Sequence, residues 1–207
     1  MILKRSERTG EILSTMVLVW LSLVFGGCAS GLDRGASYDR DAEADEEFAN
    51  AANRPPTPKT LYALARILAA QGRDKECGAV LTRSIRKYPK FLPAYCDLAE
   101  LHMRNQRSSN AMRVLAAGLS VSRKDATLLN NMGMCHVFRR EYERALEMFT
   151  RAVAAAPDDG RYRANMAMAL GMLGRYEESF SLYRQVLPVA DARHNVAALR
   201  EAGKLSP

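Results

Sequence analysis

The chain has 207 residues and a mass of 23.0 kDa, which is room for one domain with terminal extensions. Hydrophobic residues make up 48% of it but aromatic residues only 7%, a balance that favours close-packed helices over a β-rich fold. The net charge is +1 over residues 1–27, −5 over 28–53 and +11 over 54–207. A basic domain can bind nucleic acid, anionic lipid headgroups or acidic proteins, and export of the chain would disfavour nucleic acid.

The first 27 residues have the pattern of a signal peptide. Three basic residues precede an apolar run from Met16 to Phe25, which is interrupted only by Ser22. Ten apolar residues are too few to span a bilayer as a helix, and they suit the apolar core of an export signal. Small residues follow at once, and Cys28 comes directly after Gly27.

Residues 24–28, Val-Phe-Gly-Gly-Cys, resemble the lipobox of bacterial lipoproteins, although Phe25 replaces its usual Leu. The resemblance implies cleavage before Cys28 and acylation of that residue. Two or three acyl chains form a lasting anchor, since each buried CH₂ contributes about 0.8 kcal/mol. Ala29 implies, by resemblance to enteric lipoproteins, the periplasm-facing side of the outer membrane. The alternative is an ordinary secretory signal that leaves Cys28 as a free thiol.

Residues 28–57 are predicted to be a disordered acidic and Pro-rich tether that begins at the lipidated cysteine. They are rich in Gly, Ala, Asp, Glu and Pro, so they cannot bury enough apolar surface to offset the entropy of ordering. Arg54-Pro55-Pro56-Thr57-Pro58 forms a stiff, extended stop before the domain. The tether is interpreted as a spacer that lifts the domain off the membrane, and a processing remnant is the alternative.

A repeat of 34 residues begins at residue 58, and the positions in each repeat are numbered here as places 1 to 34. Small residues occupy places 8 and 20, and large apolar residues occupy places 7, 24 and 28. Place 8 holds Ala65, Ala99, Gly133 and Ala167; place 20 holds Cys77, Ala111, Ala145 and Ser179. Place 7 holds Leu64, Leu98, Met132 and Met166; place 24 holds Leu81, Leu115, Phe149 and Tyr183; place 28 holds Ile85, Leu119, Val153 and Leu187.

This pattern predicts pairs of antiparallel helices, A and B, in every repeat. Small side chains at places 8 and 20 let the two helices approach closely, and the large residues fill the seams. Pro89 and Pro157 at place 32 end helix B, and Gly72 and Gly174 at place 15 end helix A.

The columns resemble the tetratricopeptide repeat (TPR), with Tyr142 and Tyr176 at place 17 of the last two repeats. The resemblance implies an all-α TPR solenoid of four repeats, residues 58–91, 92–125, 126–159 and 160–189, followed by a capping helix and tail over 190–207. Helices are expected over 59–71, 74–88, 93–105, 108–121, 126–139, 142–155, 160–173, 176–187 and 191–202. Repeats 1 and 2 lack the aromatic at place 17, and Arg123 replaces Pro in repeat 2, so they are expected to be less regular.

No catalytic motif or cofactor site is apparent, because the sequence has no Gly-rich phosphate loop, no HExxH and no CxxC. The chain is therefore predicted not to be an enzyme. His102 and His136 share place 11, where core or boundary histidines are favoured over a metal pair. Cys77 and Cys96 are interpreted as small packing residues, with a disulfide between them as the alternative.

The TPR resemblance places a peptide-binding groove along the A helices, at places 2, 5, 6, 9, 12 and 13. Asn131 and Asn165 repeat at place 6, where the family uses Asn to hold a peptide backbone, and methionines around them suit apolar side chains. The alternative is that these residues belong to scaffold and core. The predicted groove residues are Tyr62, Arg66, Met103, Asn130, Asn131, Met134, Phe138, Arg161, Asn165, Met168 and Met172.

A TPR domain on a lipid anchor resembles the TadD-like lipoproteins of tight-adherence (Flp) pilus loci and, more distantly, pilotin-like lipoproteins. The resemblance implies an adaptor that binds protein segments, among them a secretin or other pilus-assembly components, and acts on no nucleic acid or small-molecule substrate. A general cell-envelope scaffold is the alternative. A metal-handling protein or enzyme is a third interpretation. The basic outer face, with Arg83, Arg86, Lys87, Arg113, Arg144, Arg151 and Arg184, is interpreted as solvated, with anionic lipid or an acidic partner as the alternative.

Overall fold

The structure, a computed structural model, describes residues 55–205. This part of the chain is all-helical, which confirms the predicted fold class. The signal peptide, Cys28 and the tether as far as residue 54 lie outside the described residues. The helices are α1 Pro58–Ala70, α2 Asp74–Lys87, α3 Pro93–Arg104, α4 Ser108–Val121, α5 Ala126–Phe138, α6 Tyr142–Ala155, α7 Gly160–Met172, α8 Tyr176–Tyr183 and α9 Val189–Leu205.

The chain falls into two units, residues 1–60 and residues 61–207, and the packing described below lies within the second. From α2 to α8, each helix packs on the next helix in the sequence. The A helices α3, α5 and α7 also contact one another in order, so they form a row. No helix of residues 55–205 is long and apolar enough to cross a membrane.

The small residues at places 8 and 20 are buried in all four repeats, as the sequence predicted. Gly133 shows how close the approach is, because a Cβ atom built there would lie 2.5 Å from Cε1 of Phe149. Real Cβ atoms do not come so near to another carbon, so helix α5 can lie against α6 in this way only where the side chain is absent.

The large residues at place 24 are also buried in every repeat, but Leu64 at place 7 of repeat 1 is not. Its side chain is 44% exposed, and Ile67 beside it is 56% exposed. The equivalent Leu98 and Leu101 are covered by α2, where a Cβ on Gly78 would contact the Leu101 side chain at 3.3 Å. Leu64 has no such cover because no B helix precedes α1 among the described residues.

The turn from helix A to helix B has the same backbone in all four repeats. Gly72 and Gly174, at place 15, have φ of +70° and +77°, and Gln106 and Arg140 adopt φ of +57° and +59° at the same place. The residue after each closes a hydrogen bond to the last turn of helix A, as Arg73 N–H does to the carbonyl of Leu68 at 2.9 Å. The left-handed turn is therefore set by the helix pair, and glycine only eases it.

The turn from helix B to the next helix A does not depend on proline. The residues that end the B helices, Tyr88, Ser122 and Ala156, have φ of −133°, −139° and −144°. Proline follows the first and third, whereas Arg123 follows Ser122. The expected irregularity of repeat 2 is therefore wrong for this turn, because packing of the flanking helices maintains its geometry.

Helix α8 ends at Tyr183, four residues before the predicted end, and α9 begins two residues earlier than predicted, at Val189. Pro188 restricts the backbone before it, and Val186 turns back to within contact distance of Gly160. Helix α9 then caps the last repeat by burying Ala192, Val196 and Leu199. The Arg200 guanidinium also lies over the Tyr176 ring, 4.8 Å from its centroid.

Candidate protein-binding face

The predicted groove residues lie on the row of A helices, which is called here the A-helix face. Their exposure varies widely along it. Arg66, Phe138 and Arg161 are exposed, and Asn130 and Asn165 are buried. The remaining predicted residues are half-buried: Tyr62, Met103, Asn131, Met134, Met168 and Met172.

Three asparagines on α5 and α7 form a hydrogen-bonded ladder. Asn165 is fully buried, and its Nδ2 donates to Oδ1 of Asn130 at 2.7 Å. Asn130 in turn donates from its Nδ2 to Oδ1 of Asn131 at 3.4 Å. Because α5 and α7 lie side by side, Asn165 is held inside the scaffold and is not an open groove residue. Only Asn131, at the end of the ladder, is within reach of solvent.

The ladder sets the orientation of the Asn131 carboxamide. Its Oδ1 accepts from Asn130, so its Nδ2 is the group left for an outside partner, and no described residue accepts from that Nδ2. At the other end, Oδ1 of Asn165 is buried with no hydrogen-bond partner among the described residues. Asn131 is therefore set to donate to an acceptor such as a peptide carbonyl.

The A-helix face is charged at α1 and α3. Asp97 accepts a hydrogen bond from the Tyr62 hydroxyl, and burial raises the pKa of the Asp97 carboxyl against the opposing effects of Tyr62 and Arg66. Burial also raises the pKa of Glu100, which Arg104 opposes. These carboxyls are partly desolvated and partly neutralised by the two guanidinium groups.

Towards α5 and α7 the same face is apolar. Met134 and Met168 pack on the buried cluster of Ala145, Phe149 and Ala169, and each leaves part of its side chain exposed. Phe138 projects further, at 48% exposed. Half-buried methionines beside an exposed aromatic ring can adapt to apolar side chains of different shapes.

Arg161 is not an unengaged cation. Its Nη2 pairs with Oδ2 of Asp159 at 2.7 Å, and its guanidinium lies 5.8 Å from the centroid of the Tyr162 ring. The hydrogen bond from Arg161 lowers the pKa of Asp159. Asp159 also accepts from the Arg161 backbone N–H at 3.0 Å, so the pair helps to start helix α7.

The two histidines at place 11 have different surroundings. His136 is buried, and its Nδ1 lies 2.7 Å from Oε2 of Glu141. Hydrogen bonds from His136 and then Arg139 lower the pKa of Glu141 to about 2. His102 is half-buried at a shallow depression, where burial and nearby arginines lower its pKa.

Cysteines and acidic groups give no metal cluster within residues 55–205. Cys77 and Cys135 are free thiols, so the alternative of a Cys77–Cys96 disulfide is wrong for this structure. Cys77 and Cys135 are buried packing residues, and the Cys135 thiol contacts Sδ of Met103 at 3.4 Å. Burial raises the pKa of Cys135 to about 12, which disfavours the reactive thiolate.

Two structural roles on this face were not predicted from the sequence. Asn130 joins the other two asparagines, and Asp97 pairs with Tyr62 across α1 and α3. The asparagine contacts could have been predicted from the sequence, since Asn at place 5 of one repeat and Asn at place 6 of the next fall on neighbouring helices. The pairing of Asp97 with Tyr62 could not have been predicted, because tyrosine and aspartate at groove places are equally compatible with an open surface.

Comparison with family models gives two matches, both described as tetratricopeptide repeat. They cover residues 59–90 and residues 124–192. The first corresponds to repeat 1, and the second to repeats 3 and 4 together with the start of α9. No curated protein is significantly similar to the chain.

Several solved structures share this fold. A thermophilic TPR protein from Thermus thermophilus is 23% identical, covers 75% of this chain and 87% of its own, and has a TM-score of 0.60. The MamA protein is 12% identical over 72% of this chain and 83% of its own, with a TM-score of 0.58. YrrB, described as a TPR protein with an unusual peptide-binding site, is 17% identical over 80% and 85%, with a TM-score of 0.56.

Proposed function

Because the chain is a tetratricopeptide-repeat protein, we propose that it is a non-enzymatic adaptor that binds a segment of a protein partner on its A-helix face. The observation that carries the proposal is the asparagine ladder, which turns one half-exposed carboxamide outward beside an apolar row. A peptide segment offers both a carbonyl acceptor and side chains for such a surface.

Two features of the face and one comparison support a peptide over a small molecule. The residues follow the row of α1, α3, α5 and α7, so the surface is elongated and suits an extended chain. The face carries charged side chains at α3 and apolar side chains at α5 and α7, which favours a segment of mixed composition. One structure of the same fold is described as having a peptide-binding site, and this is consistent with the fold serving that purpose.

Replacing Asn131 with Ala is expected to weaken capture of the partner about fivefold. The variant removes one hydrogen-bond donor, and a net hydrogen bond contributes about 1 kcal/mol. The measurement is recovery of cross-linked partners from cells, quantified by mass spectrometry. Asn165 is unsuitable for this test because it is buried, and its loss would disturb the helix pair.

Asn195→Ala is the matched control, because Asn195 is also half-buried but lies on the capping helix α9. It is expected to leave capture unchanged. Both variants should keep the helical circular dichroism of the parent chain. Equal recovery of every partner from the Asn131 and Asn195 variants would move the binding site off the A-helix face.

The finer proposal is that the domain is held by lipid at Cys28 on the periplasmic face of the outer membrane and assists assembly of a pilus or secretion machine. It rests on the lipobox-like Val-Phe-Gly-Gly-Cys and on the resemblance to TadD-like lipoproteins. The identity of the captured partner distinguishes it from the alternative of a general envelope scaffold. A secretin or another pilus component favours assembly, and cell-wall enzymes favour the scaffold.

Cys28→Ala is expected to abolish the anchor, because the thiol is the only group at that position that can take the diacylglycerol. The variant should remain uncleaved or become soluble, whereas the parent chain should fractionate with the outer membrane. The measurement is sucrose-gradient fractionation with metabolic labelling by palmitate. A Cys28→Ala chain of mature size that still sediments with outer membrane would contradict the lipid anchor.

A further inference from the structure

Six cations lie on the C-terminal half of α2 and on the two turns from helix B to helix A in the first half of the solenoid. These form what is called here the basic edge. All six are exposed, and none makes an ion pair within the described residues. The basic edge consists of Arg83, Arg86, Lys87 and Lys90 around the α2–α3 turn, and Arg123 and Lys124 in the α4–α5 turn.

The two turns lie side by side. Ile85 and Leu92, which flank the first turn, pack on the same buried cluster as Leu119, which precedes the second. The Tyr95 hydroxyl donates to the carbonyl of Pro89 at 3.0 Å, and the Tyr95 ring would lie 3.2 Å from a Cβ on Gly118. One tyrosine thus connects the first turn to the end of α4, and the six cations share one edge.

The positive charge is specific to this half of the solenoid. Lys90 and Lys124 occupy place 33, where the next repeat has Asp158. Arg86 and Lys87 occupy places 29 and 30, where repeat 3 has two alanines. The third turn is therefore acidic where the first two are basic, so the basic edge is not a general consequence of repeating the motif.

We propose that the basic edge binds the phosphate groups of anionic phospholipids at a membrane surface. The inference rests on the lipid anchor proposed above. The six side chains are long and exposed, three of them on the last turns of α2 and three on the turns that follow B helices, so they form an outer surface that can meet many phosphates at once. Each juxtamembrane cation of this kind strengthens binding to an anionic leaflet about fivefold.

The anchor is what favours lipid over an acidic protein as the occupant. Residues 29–57 separate Cys28 from the domain, and even fully extended they reach only about 100 Å. An anchored domain therefore stays close to headgroups at high effective concentration, so weak contacts suffice. Binding through these residues of α2 and the turns would also leave the A-helix face open to its protein partner.

The test is co-sedimentation of the full chain, carrying Cys28→Ser so that no acyl chain contributes, with two kinds of vesicle. One is zwitterionic, and the other contains about a third anionic phosphatidylglycerol. The apolar signal segment is the same in every sample, so the ratio between the two vesicle types reports the electrostatic contribution alone. The outcome is independent of whether Cys28 is acylated in cells, which separates this proposal from the anchor.

The edge variant is Arg86→Gln with Lys90→Gln, and the matched control is Arg107→Gln with Lys75→Gln. Arg107 and Lys75 are exposed too, but they lie at the opposite turns, from helix A to helix B. The edge variant, which lacks two cations, should lower the preference for anionic vesicles about 25-fold, and the control should stay within about twofold of the parent. Salt at about 0.5 M should remove the preference of the parent chain.

Two results would overturn the proposal. The first is equal partition of the parent chain into both vesicle types, which would show that the basic edge does not recognise anionic lipid. If that chain instead binds soluble polyglutamate, the partner is an acidic protein. An equal loss in the edge and control variants would show that net charge alone governs binding. Circular dichroism of both variants checks that the fold is retained.

Discussion

Phe149→Ala is expected to lower the free energy of unfolding by about 3–5 kcal/mol. Phe149 is fully buried at place 24, and its ring fills the space that the missing side chain of Gly133 leaves between α5 and α6. The neighbouring Ala145 and Ala169 are too small to close over the gap. The variant therefore loses the transfer free energy of a benzyl group and also retains a cavity. Chemical denaturation followed by circular dichroism measures the loss.

Phe138→Ala is the control for this prediction, since Phe138 lies on the preceding helix but is 48% exposed. The same change in chemistry at that position should cost about 1 kcal/mol or less, because much of the ring is already in water. If Phe149→Ala lowers the free energy of unfolding no more than Phe138→Ala does, the Phe149 ring is not a packing element between the helices. Phe138→Ala is instead expected to affect partner binding, as it is part of the A-helix face.

The periodic features of the fold were predictable because each rests on a steric requirement that recurs. A small residue at place 8 is required wherever two helices approach closely, and the buried Ala99, Gly133 and Ala167 confirm this. The glycines at place 15 likewise indicated the left-handed turns. For the same reason, the first seven predicted helices agree with the structure to within one residue at each end.

The exceptions concern surroundings that a single column does not reveal. Leu64 belongs to a column that is buried or half-buried in the other repeats, but it is exposed in repeat 1 because no B helix precedes α1 among the described residues. Gln106 and Arg140 adopt positive φ without being glycine, because the helix pair imposes the turn. The residue type alone therefore does not predict the burial or the backbone conformation that the neighbouring helices impose.

The candidate site was predicted in outline and not in detail. The sequence indicated which residues lie on the A-helix face, because their places follow from the period. It did not indicate that Asn165 would be buried by a bond to Asn130, since that depends on the distance between α5 and α7. The sequence suggested two equivalent asparagines, whereas the structure leaves one of them, Asn131, able to contact a partner.

Enlarging one small side chain tests whether the close packing of helix pairs forms the A-helix face. Ala111 at place 20 is fully buried on α4, and Ala116 on the same helix is exposed. Both are changed to Leu, which has nearly the helix propensity of Ala, so intrinsic helix stability differs little between the variants. At position 111 the added isopropyl group must displace α3 or its own helix, and overpacking of this kind costs about 1–3 kcal/mol.

The deciding measurement is the free energy of unfolding of Ala111→Leu beside Ala116→Leu, with partner capture recorded on the same samples. Ala111→Leu should lose about 1–3 kcal/mol and weaken capture, whereas Ala116→Leu should stay within about 0.5 kcal/mol of the parent chain and capture normally. If leucine is tolerated equally at both positions, close approach through tiny side chains does not hold the helix pairs together, and the A-helix face loses its structural basis.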